Sequence, residues 1–434
     1  MPEAPRCVWP TEMPTETIER SAFRKIIWRF MPLLTVAYIL NYLDRSNIGF
    51  AALQMNKELG LTAAQFGFGA GILSLGYCTF EIPSNLALYR FGARAWIARI
   101  MITWGLVAAG CALIVGPTSF YAIRFLLGLT EAGFFPGVAF LLSSWFPAEY
   151  RARMLAILLL GVPVSSVVGG PISGALLGLD QFAGLSGWQW MFVIEGLPSA
   201  LLGFFMLWIL ADRPSTASWL TAEERDAVER RIAAEPRHQE VHLLWPALKD
   251  PRVLILALIQ FGFTTGSYGV GIWLPQIIKS HFHSNLTVGF VSSVPYAIAS
   301  IAMLLWAGMV DRSGKRVGNL ILTCAVATLG LLLSIAFDAF WLSFLWLTVA
   351  LVGITAARAV FWAIPARFLT GVAAAGGLAF INSVGTIGGF VGPAVVGWLK
   401  DLTGSFSAGL AGMAGFLLLS ALLAIALHRF TPRE

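Results

Sequence analysis

Charged residues are scarce in this chain. Of its 434 residues only 12% are Asp, Glu, Lys or Arg and 57% are hydrophobic, whereas soluble domains carry about 25% charged residues. The mean hydropathy is +0.76, so the composition excludes an ordinary soluble protein. The net charge of +6 does not indicate a nucleic-acid partner, because the basic residues are dispersed over several loops rather than gathered on one face.

Cysteine and histidine are also few. The four cysteines lie far apart and none falls in a predicted outer loop, so we expect neither a disulfide nor a metal site. The five histidines lie in the central polar segment, in one predicted outer loop and near the end of the last predicted helix. A membrane enzyme would need a nucleophile with its base, or a metal cluster, within the membrane. No segment resembles an ATP-binding P-loop. We therefore expect no enzyme and no cofactor.

Long hydrophobic runs, in contrast, are abundant. Each approaches the roughly 20 residues that a helix needs to cross a bilayer. Residues 1–25 are polar and too long for the basic region of a signal peptide, so we expect no cleaved leader. The pattern predicts an all-α membrane protein with 12 transmembrane helices in the lipid bilayer, at 26–50, 66–88, 96–116, 119–142, 153–178, 190–211, 252–278, 288–310, 317–337, 340–366, 373–397 and 405–428.

The positions of the basic residues predict the orientation. If the amino terminus lies inside, the outer loops hold only Lys57, Lys279 and Lys400, and most of the other Lys and Arg fall on the inner side. Cytoplasmic loops carry such an excess of basic residues. We therefore expect both termini in the cytoplasm.

The chain also repeats itself. LYRFGAR at 88–94 and VDRSGKR at 310–316 share an Arg-x-Gly-x-Arg frame at an offset of 222 residues, and Gly-Pro pairs recur at the same offset at 170–171 and 392–393. Two motifs with one offset indicate a duplicated six-helix unit. In the segment between the copies, the spacing of Thr221 and Glu224 predicts a capping box at the start of a polar helix. The expected organisation is an N-terminal tail at 1–25, a six-helix bundle at 26–211, a cytoplasmic linker at 212–250, a second bundle at 251–428 and a tail at 429–434.

Several motifs carry a resemblance to a known family. GMVDRSGKR resembles a cytoplasmic loop motif of major facilitator transporters, although Tyr89 replaces the Asp in the first copy of that motif. Within that superfamily the chain resembles the anion:cation symporter family, and its bacterial tartrate, phthalate and hydroxyphenylacetate carriers most of all. The motifs of this resemblance are NYLDRSNIGFA, EIPSNL, GARAWIARIMITWG, RFLLGLTEAGFFPG and FWAIP.

The resemblance implies a function. It implies a secondary transporter in the bacterial inner membrane that takes up a small organic carboxylate (tartrate-like, a sugar acid or an aromatic acid) together with a proton by alternating access. We expect a monomer. A carboxylate uniporter or antiporter that is not coupled to protons, or a membrane sensor that transports nothing, remains an alternative.

Charges within the predicted spans point to the site, because charges are costly in a bilayer and usually mark transport pathways. Arg124 and Glu131 lie seven residues apart on one face of the fourth predicted helix, about 10 Å apart. We predict that Arg45 and Arg124 bind the substrate carboxylate, since Arg stays charged and forms a bidentate fork. Asp44 and Glu131 are the predicted proton carriers. A purely structural polar network of these four residues is the alternative.

Other residues complete the predicted site. Arg358 interrupts the tenth predicted helix and would supply a third cation suited to a substrate with two carboxylates, unless it pairs locally. Glu195 lies close to Trp188 and Trp190, which indicate a membrane-surface belt, so we expect a wetted structural carboxylate there. The predicted cavity also includes the polar side chains of Tyr42, Tyr77, Gln260, Tyr268 and Asn382, and the predicted cytoplasmic gate consists of Asp311, Arg312 and Arg90.

Overall fold

The computed structural model describes residues 14–234, 250–365 and 371–430, and these residues form helices and turns without a strand. The N-terminal half contains α1 (Pro14–Glu58), α2 (Ala63–Phe91), α3 (Ala93–Gly110), α4 (Pro117–Glu131), α5 (Phe134–Trp145), α6 (Ala148–Leu159), α7 (Gly161–Leu176) and α8 (Gly187–Ile209). The polar helix α9 (Ala222–Ala233) follows. The C-terminal half contains α10 (Pro251–Lys279), α11 (Asn285–Ser313), α12 (Arg316–Ala336), α13 (Phe340–Phe361), α14 (Gly371–Thr403) and α15 (Phe406–Phe430).

The described helices make twelve passages. Eleven of the described stretches are long and apolar enough to cross a membrane, and two of these stretches join α4 to α5 and α6 to α7. The remaining passage is α2, whose 29 residues make a helix about 44 Å long. Its glycines and its polar residues lower its hydropathy without shortening it. The predicted twelve-helix fold is confirmed.

The two motif copies both end their helix at a glycine. Gly92 terminates α2 with φ of 85°, and Gly314 terminates α11 with φ of 69°. Backbone in this region of φ strains residues other than glycine. The ψ angles differ, at 153° for Gly92 and −10° for Gly314, so the two copies share the glycine and the sign of φ but not the complete turn geometry.

The halves pack through small residues. We call the side of the bundle that carries α9 and the start of α1 the linker side, and the other side the opposite side. A Cβ on Gly170 of α7 would overlap Gly289 of α11, and one on Gly67 of α2 would overlap Pro393 of α14. These contacts lie toward the opposite side. These glycines therefore allow close helix contacts between the halves.

The linker helix docks on the N-terminal half. Thr221 and Glu224 form the predicted capping box at the start of α9. Glu224 also accepts hydrogen bonds from Ser21 at 3.1 Å and from Lys25 at 2.7 Å, both on α1. Burial alone would raise the pKa of Glu224, but the hydrogen bonds from Lys25, the Thr221 backbone and Ser21 together lower it below its usual value. Glu224 thus stays ionised and ties α9 to α1.

Candidate functional site

Helix α1 presents three polar residues on one face. Asn41, Asp44 and Asn47 recur every three residues and are 3%, 3% and 1% exposed. Side chains three apart on a helix lie one above the other. We call these three residues and the carboxylates that they contact the α1 ladder. Each step of the ladder places one carboxylate in the interior of the N-terminal half.

The first step holds an ion pair. Arg45 Nε lies 2.5 Å from Glu131 Oε1, and Asn41 Nδ2 donates a hydrogen bond to the same oxygen. Glu131 is 2% exposed, whereas the Arg45 side chain is 18% exposed. The ion pair therefore buries its carboxylate and leaves part of the Arg45 side chain exposed.

Local backbone geometry explains the position of Glu131. It is the last residue of α4, and the chain breaks there before α5 at Ala132 and Gly133, where Gly133 has φ of 87°. The hydroxyl of Ser84 on α2 donates to the Ala132 carbonyl at 2.7 Å, which satisfies one of the carbonyls freed by the break. The break thus fixes the carboxylate at the middle of the fourth passage.

Aromatic residues surround Arg45. Its guanidinium carbon lies 5.0 Å from the ring centroid of Tyr77 and 5.6 Å from that of Tyr42. Nη1 lies 3.5 Å from the hydroxyl of Tyr268 on α10. Arg45 therefore extends from the N-terminal half to the C-terminal half, and the predicted residues Tyr42, Tyr77 and Tyr268 are brought together around it.

The second step of the ladder is Asp44. Its Oδ2 accepts hydrogen bonds from Trp104 Nε1 on α3 at 2.7 Å and from the Ser199 hydroxyl on α8 at 3.3 Å. Its Oδ1 is buried and has no hydrogen-bond partner within the described ranges. Among the described residues no Lys or Arg forms an ion pair with it. Asp44 and Arg45 are neighbours in the chain but face different surroundings, as expected for consecutive helical residues.

The third step is Glu195, 3% exposed. Its carboxylate accepts hydrogen bonds from Asn47 Nδ2 at 2.9 Å and from the Ser173 hydroxyl on α7 at 2.8 Å. The expectation of a wetted residue was wrong. Trp188, which served as the marker of the membrane surface, is itself 2% exposed and belongs to the core.

Arg124 is enclosed. It is 1% exposed, and its Nε and Nη1 have no hydrogen-bond partner in the part of the chain that the structure describes. The thiol of Cys111 lies beside it, and Asp44 and Glu131 are its nearest carboxylates. Two buried guanidinium donors without partners are unusual, because nearly all buried polar groups are satisfied by protein or water.

Arg358 lies in the C-terminal half. Its Nη2 donates to the Ser267 hydroxyl on α10 at 3.1 Å, and no carboxylate in the described ranges forms an ion pair with it. Ser267 precedes Tyr268, the residue that approaches Arg45. Two cations from opposite halves therefore contact neighbouring residues of α10.

The other predicted residues are more dispersed. Gln260 is 6% exposed and packs against Gly385. Asn382 is partly buried, and its backbone carbonyl accepts a hydrogen bond from the hydroxyl of Thr386, one turn later. Arg90 and Arg312 are exposed on the linker side, at the ends of α2 and α11. The side chain of Asp311 lies outside the described residues, so the gate stays a prediction.

The sequence interpretation missed the neutral partners of the buried carboxylates. Asn41 and Asn47 flank Asp44 at three-residue spacing, and this spacing within a membrane helix was a readable signal. Trp104 and Ser199 gave no such signal, because their contact with Asp44 joins helices that are distant in the sequence.

Comparison with known proteins agrees with this architecture. The family model of the Major Facilitator Superfamily matches residues 34–277 and 256–434. A protein of Agrobacterium vitis named "Putative tartrate transporter" is 48% identical over 421 residues, which cover 96% of this chain and 94% of that protein. The "Quinolone resistance transporter" of Acinetobacter baumannii is 40% identical, with 96% and 97% of the two chains covered.

A solved structure shares the fold. The crystal structure of a bacterial homologue of the human lysosomal transporter Spinster superimposes with a TM-score of 0.76 at 18% identity, and the match covers 95% of this chain and 97% of that chain. Twelve helical passages in two repeated halves, the matching family model and the extended identity to transporters lead to one conclusion. The chain is a membrane transporter, not an enzyme, and belongs to the major facilitator superfamily.

Proposed function

We propose that this transporter is a proton-coupled symporter that carries small organic dicarboxylates into the cytoplasm across the bacterial inner membrane. The observation that carries the proposal is the ion pair of Arg45 with Glu131, in which the Arg45 side chain is partly exposed and reaches Tyr268 of the C-terminal half. A guanidinium that can exchange a protein carboxylate for a substrate carboxylate links substrate binding to proton binding.

The cations support an anionic substrate. Arg45 from the N-terminal half and Arg358 from the C-terminal half approach neighbouring residues of α10. Arg binds carboxylates in a bidentate fork. A ligand with one carboxylate on each Arg would connect the two halves, so its binding would favour closure of the cavity. Tartrate, named for a relative, is a dicarboxylate of this kind.

Arg124 has a further role in the proposal. Its unpartnered Nε and Nη1 are donors that a carboxylate or an ordered water would satisfy. Because Arg124 is enclosed in the described conformation, its contact with substrate requires movement of the surrounding helices. Gln260 and Asn382 supply neutral polar groups to the same cavity.

The coupling follows from competition for Arg45. In the empty site Arg45 stabilises the ionised form of Glu131. When a substrate carboxylate takes Arg45, Glu131 loses its counter-ion in a poorly hydrated site and binds a proton instead. Asp44, which forms no ion pair with a Lys or Arg among the described residues, is the second proton carrier. Substrate and proton then cross together, because either one alone leaves an uncompensated charge in the membrane.

The position of the close contacts between the two halves supports alternating access and the direction of transport. The close glycine contacts between the halves lie toward the opposite side, which we assign to the periplasm because the linker side carries most of the basic residues. The described conformation would then open to the cytoplasm. We propose that Asp311, Arg312 and Arg90 close that side in the other state. If labelling of cytoplasmic-side cysteines is unchanged by Asp311→Asn, the gate is placed wrongly.

The test is transport by the purified protein in liposomes. Tartrate should accumulate when the external solution is made acidic relative to the interior, and a protonophore should abolish the accumulation. The variant Arg45→Lys should lose both uptake and counterflow, since a point charge does not reproduce the fork. Arg99→Lys, which replaces an arginine of α3 that stacks on Trp96, is the matched control. Uptake that follows the tartrate gradient and does not change with the pH gradient would identify a uniporter or an antiporter and refute the coupling.

A further inference from the structure

The carboxylate of Glu195 has no task in the transport cycle described above. We propose that Glu195 is a third proton-binding residue, and that the α1 ladder conducts protons from Glu195 through Asp44 to Glu131 inside the N-terminal half. This inference rests on the proposed proton coupling. It adds to that coupling a route and a residue that the substrate does not touch.

The order of the ladder gives the route. Glu58 at the end of α1 accepts a hydrogen bond from Trp188 at the start of α8, at 2.7 Å, so these two helix ends meet on the opposite side. Glu195 lies eight residues into α8, about 12 Å along the helix axis from its start. Asn47, Asp44 and Asn41 then follow along α1 away from that side. Glu195 is therefore the ladder carboxylate nearest to the opposite side.

Ser199 connects the first two carboxylates. It lies one helical turn beyond Glu195 on the same face of α8, and its hydroxyl donates to Asp44 Oδ2 at 3.3 Å. A hydroxyl both donates and accepts, so it can pass a proton between its neighbours. The unpartnered Asp44 Oδ1 offers a free acceptor at the next step. Ser199 thus lies between the two carboxylates, in hydrogen-bond contact with Asp44 and one helical turn from Glu195.

The surroundings of Glu195 favour a protonated carboxyl. Its contacts are the neutral donors Asn47 on α1 and Ser173 on α7, and no cation within the described ranges forms an ion pair with it. The charged group that faces it is Asp44, an anion; Glu131 and Arg124 lie beyond Asp44. An isolated buried carboxylate is costly and usually neutralises itself by binding a proton.

The alternative is that Glu195 only joins α1, α7 and α8 by hydrogen bonds. Glu195→Gln separates the two roles, since the amide keeps the size and the hydrogen-bonding capacity of the side chain but cannot exchange a proton. Ser173→Ala is the matched control: it removes a hydrogen bond to Glu195 and leaves every titratable group in place.

Two measurements test the proposal. In proteoliposomes, Glu195→Gln should reduce tartrate accumulation driven by a pH gradient to the level of protein-free liposomes. Counterflow exchange by the same variant should stay within about twofold of the wild type, the range of a tolerated substitution. Ser173→Ala should retain both activities. In infrared difference spectra of the purified protein between acid and alkaline buffer, Glu195→Gln should remove one carbonyl band of a protonated carboxylic acid.

Other outcomes overturn the proposal. Gradient-driven accumulation by Glu195→Gln at the wild-type rate, with the infrared band intact, would show that protons bypass Glu195. Equal loss of accumulation and counterflow in both variants would identify a packing role. A dependence on sodium that is lost in Glu195→Gln would identify a cation site. If the wild type itself shows no accumulation driven by the pH gradient, the proposed coupling fails and the ladder fails with it. If the wild type and Glu195→Gln both accumulate tartrate equally under the gradient, the ladder alone is refuted.

Discussion

Neutralising Glu131 should strengthen substrate binding while it abolishes accumulation. In Glu131→Gln, Arg45 keeps its cation–π contacts with Tyr42 and Tyr77 but loses its counter-ion at 2.5 Å. In the wild type a substrate carboxylate has to displace Glu131 from Arg45. In the variant the substrate carboxylate meets an Arg45 guanidinium without Glu131 as a competitor. The neutral amide of the introduced glutamine does not have to bind a proton before Arg45 is released.

The magnitude follows from the contact that is removed. A hydrogen bond to a charged group contributes about 1.5–3 kcal/mol, which corresponds to a factor of about 10 to 150 in affinity. The partial exposure of Arg45 allows water to replace some of the lost interaction, so we expect the lower half of this range. The same exposure limits the loss of folding stability to less than the 3–5 kcal/mol typical of a broken buried pair.

The assay is calorimetric titration of the detergent-solubilised protein with tartrate at several pH values. Wild-type affinity should rise as the pH falls, because protonation of Glu131 releases Arg45, and the Glu131→Gln affinity should be high and nearly independent of pH. Glu149→Gln, which removes an exposed carboxylate of α6 that pairs with Arg231, should retain the wild-type pH dependence. Unchanged affinity with the same pH dependence in Glu131→Gln would refute the competition for Arg45.

Four further outcomes are expected. Arg358→Gln should weaken binding of dicarboxylates by about 1.5–3 kcal/mol and leave monocarboxylates unchanged in competition assays; equal losses for both would contradict the two-cation site. Arg124→Lys should weaken tartrate binding strongly, and a calorimetric affinity within about twofold of the wild type would remove Arg124 from the site. Glu224→Gln should lower the free energy of unfolding at neutral pH by no more than about 1 kcal/mol. Because the folded pKa of Glu224 is lowered, this contribution is present above the unfolded pKa and disappears as the pH falls through the folded pKa. A stability difference between variant and wild type that is identical at neutral and acid pH would contradict the docking contact. Tartrate uptake under a pH gradient should not change when a potassium diffusion potential is imposed with valinomycin; a clear response would refute electroneutral transport.

The membrane passages were predictable because a bilayer imposes one strong requirement on sequence. Each passage needs a continuous apolar run, since unsatisfied backbone groups are not tolerated in hydrocarbon. The breaks that divide the fourth and fifth passages, at Ala132–Gly133 and at Leu160, were not predicted, because they depend on hydrogen bonds from other helices and barely change the hydropathy.

The charged residues of the candidate site were the most readily predicted, together with the tyrosines around Arg45. Asp44, Arg45, Arg124 and Glu131 stand out because a charge inside a hydrophobic run is costly. Their pairing depends on the rotation of each helix about its axis, which places Arg45 rather than Arg124 on Glu131. Glu195 was misinterpreted for a similar reason: a tryptophan near the end of a membrane helix can face the bilayer surface or the core, and only the packing distinguishes the two.

Under the proposed coupling, the charges of the site constrain how many protons accompany each substrate. With Glu195 protonated, as its surroundings favour, the ionised groups of the site balance: Arg45, Arg124 and Arg358 against Asp44, Glu131 and Glu81, a carboxylate of α2 whose charge interacts with Arg45. A bound dicarboxylate adds two negative charges to this neutral set in a site of low polarity, and closure around it would trap them at high cost. Protonation of Asp44 and Glu131 restores neutrality. After both protons and the substrate leave on the cytoplasmic side, the empty site is neutral again and can return. Under this proposal, one dicarboxylate with two protons is the stoichiometry at which neither the loaded nor the empty site carries net charge across the membrane.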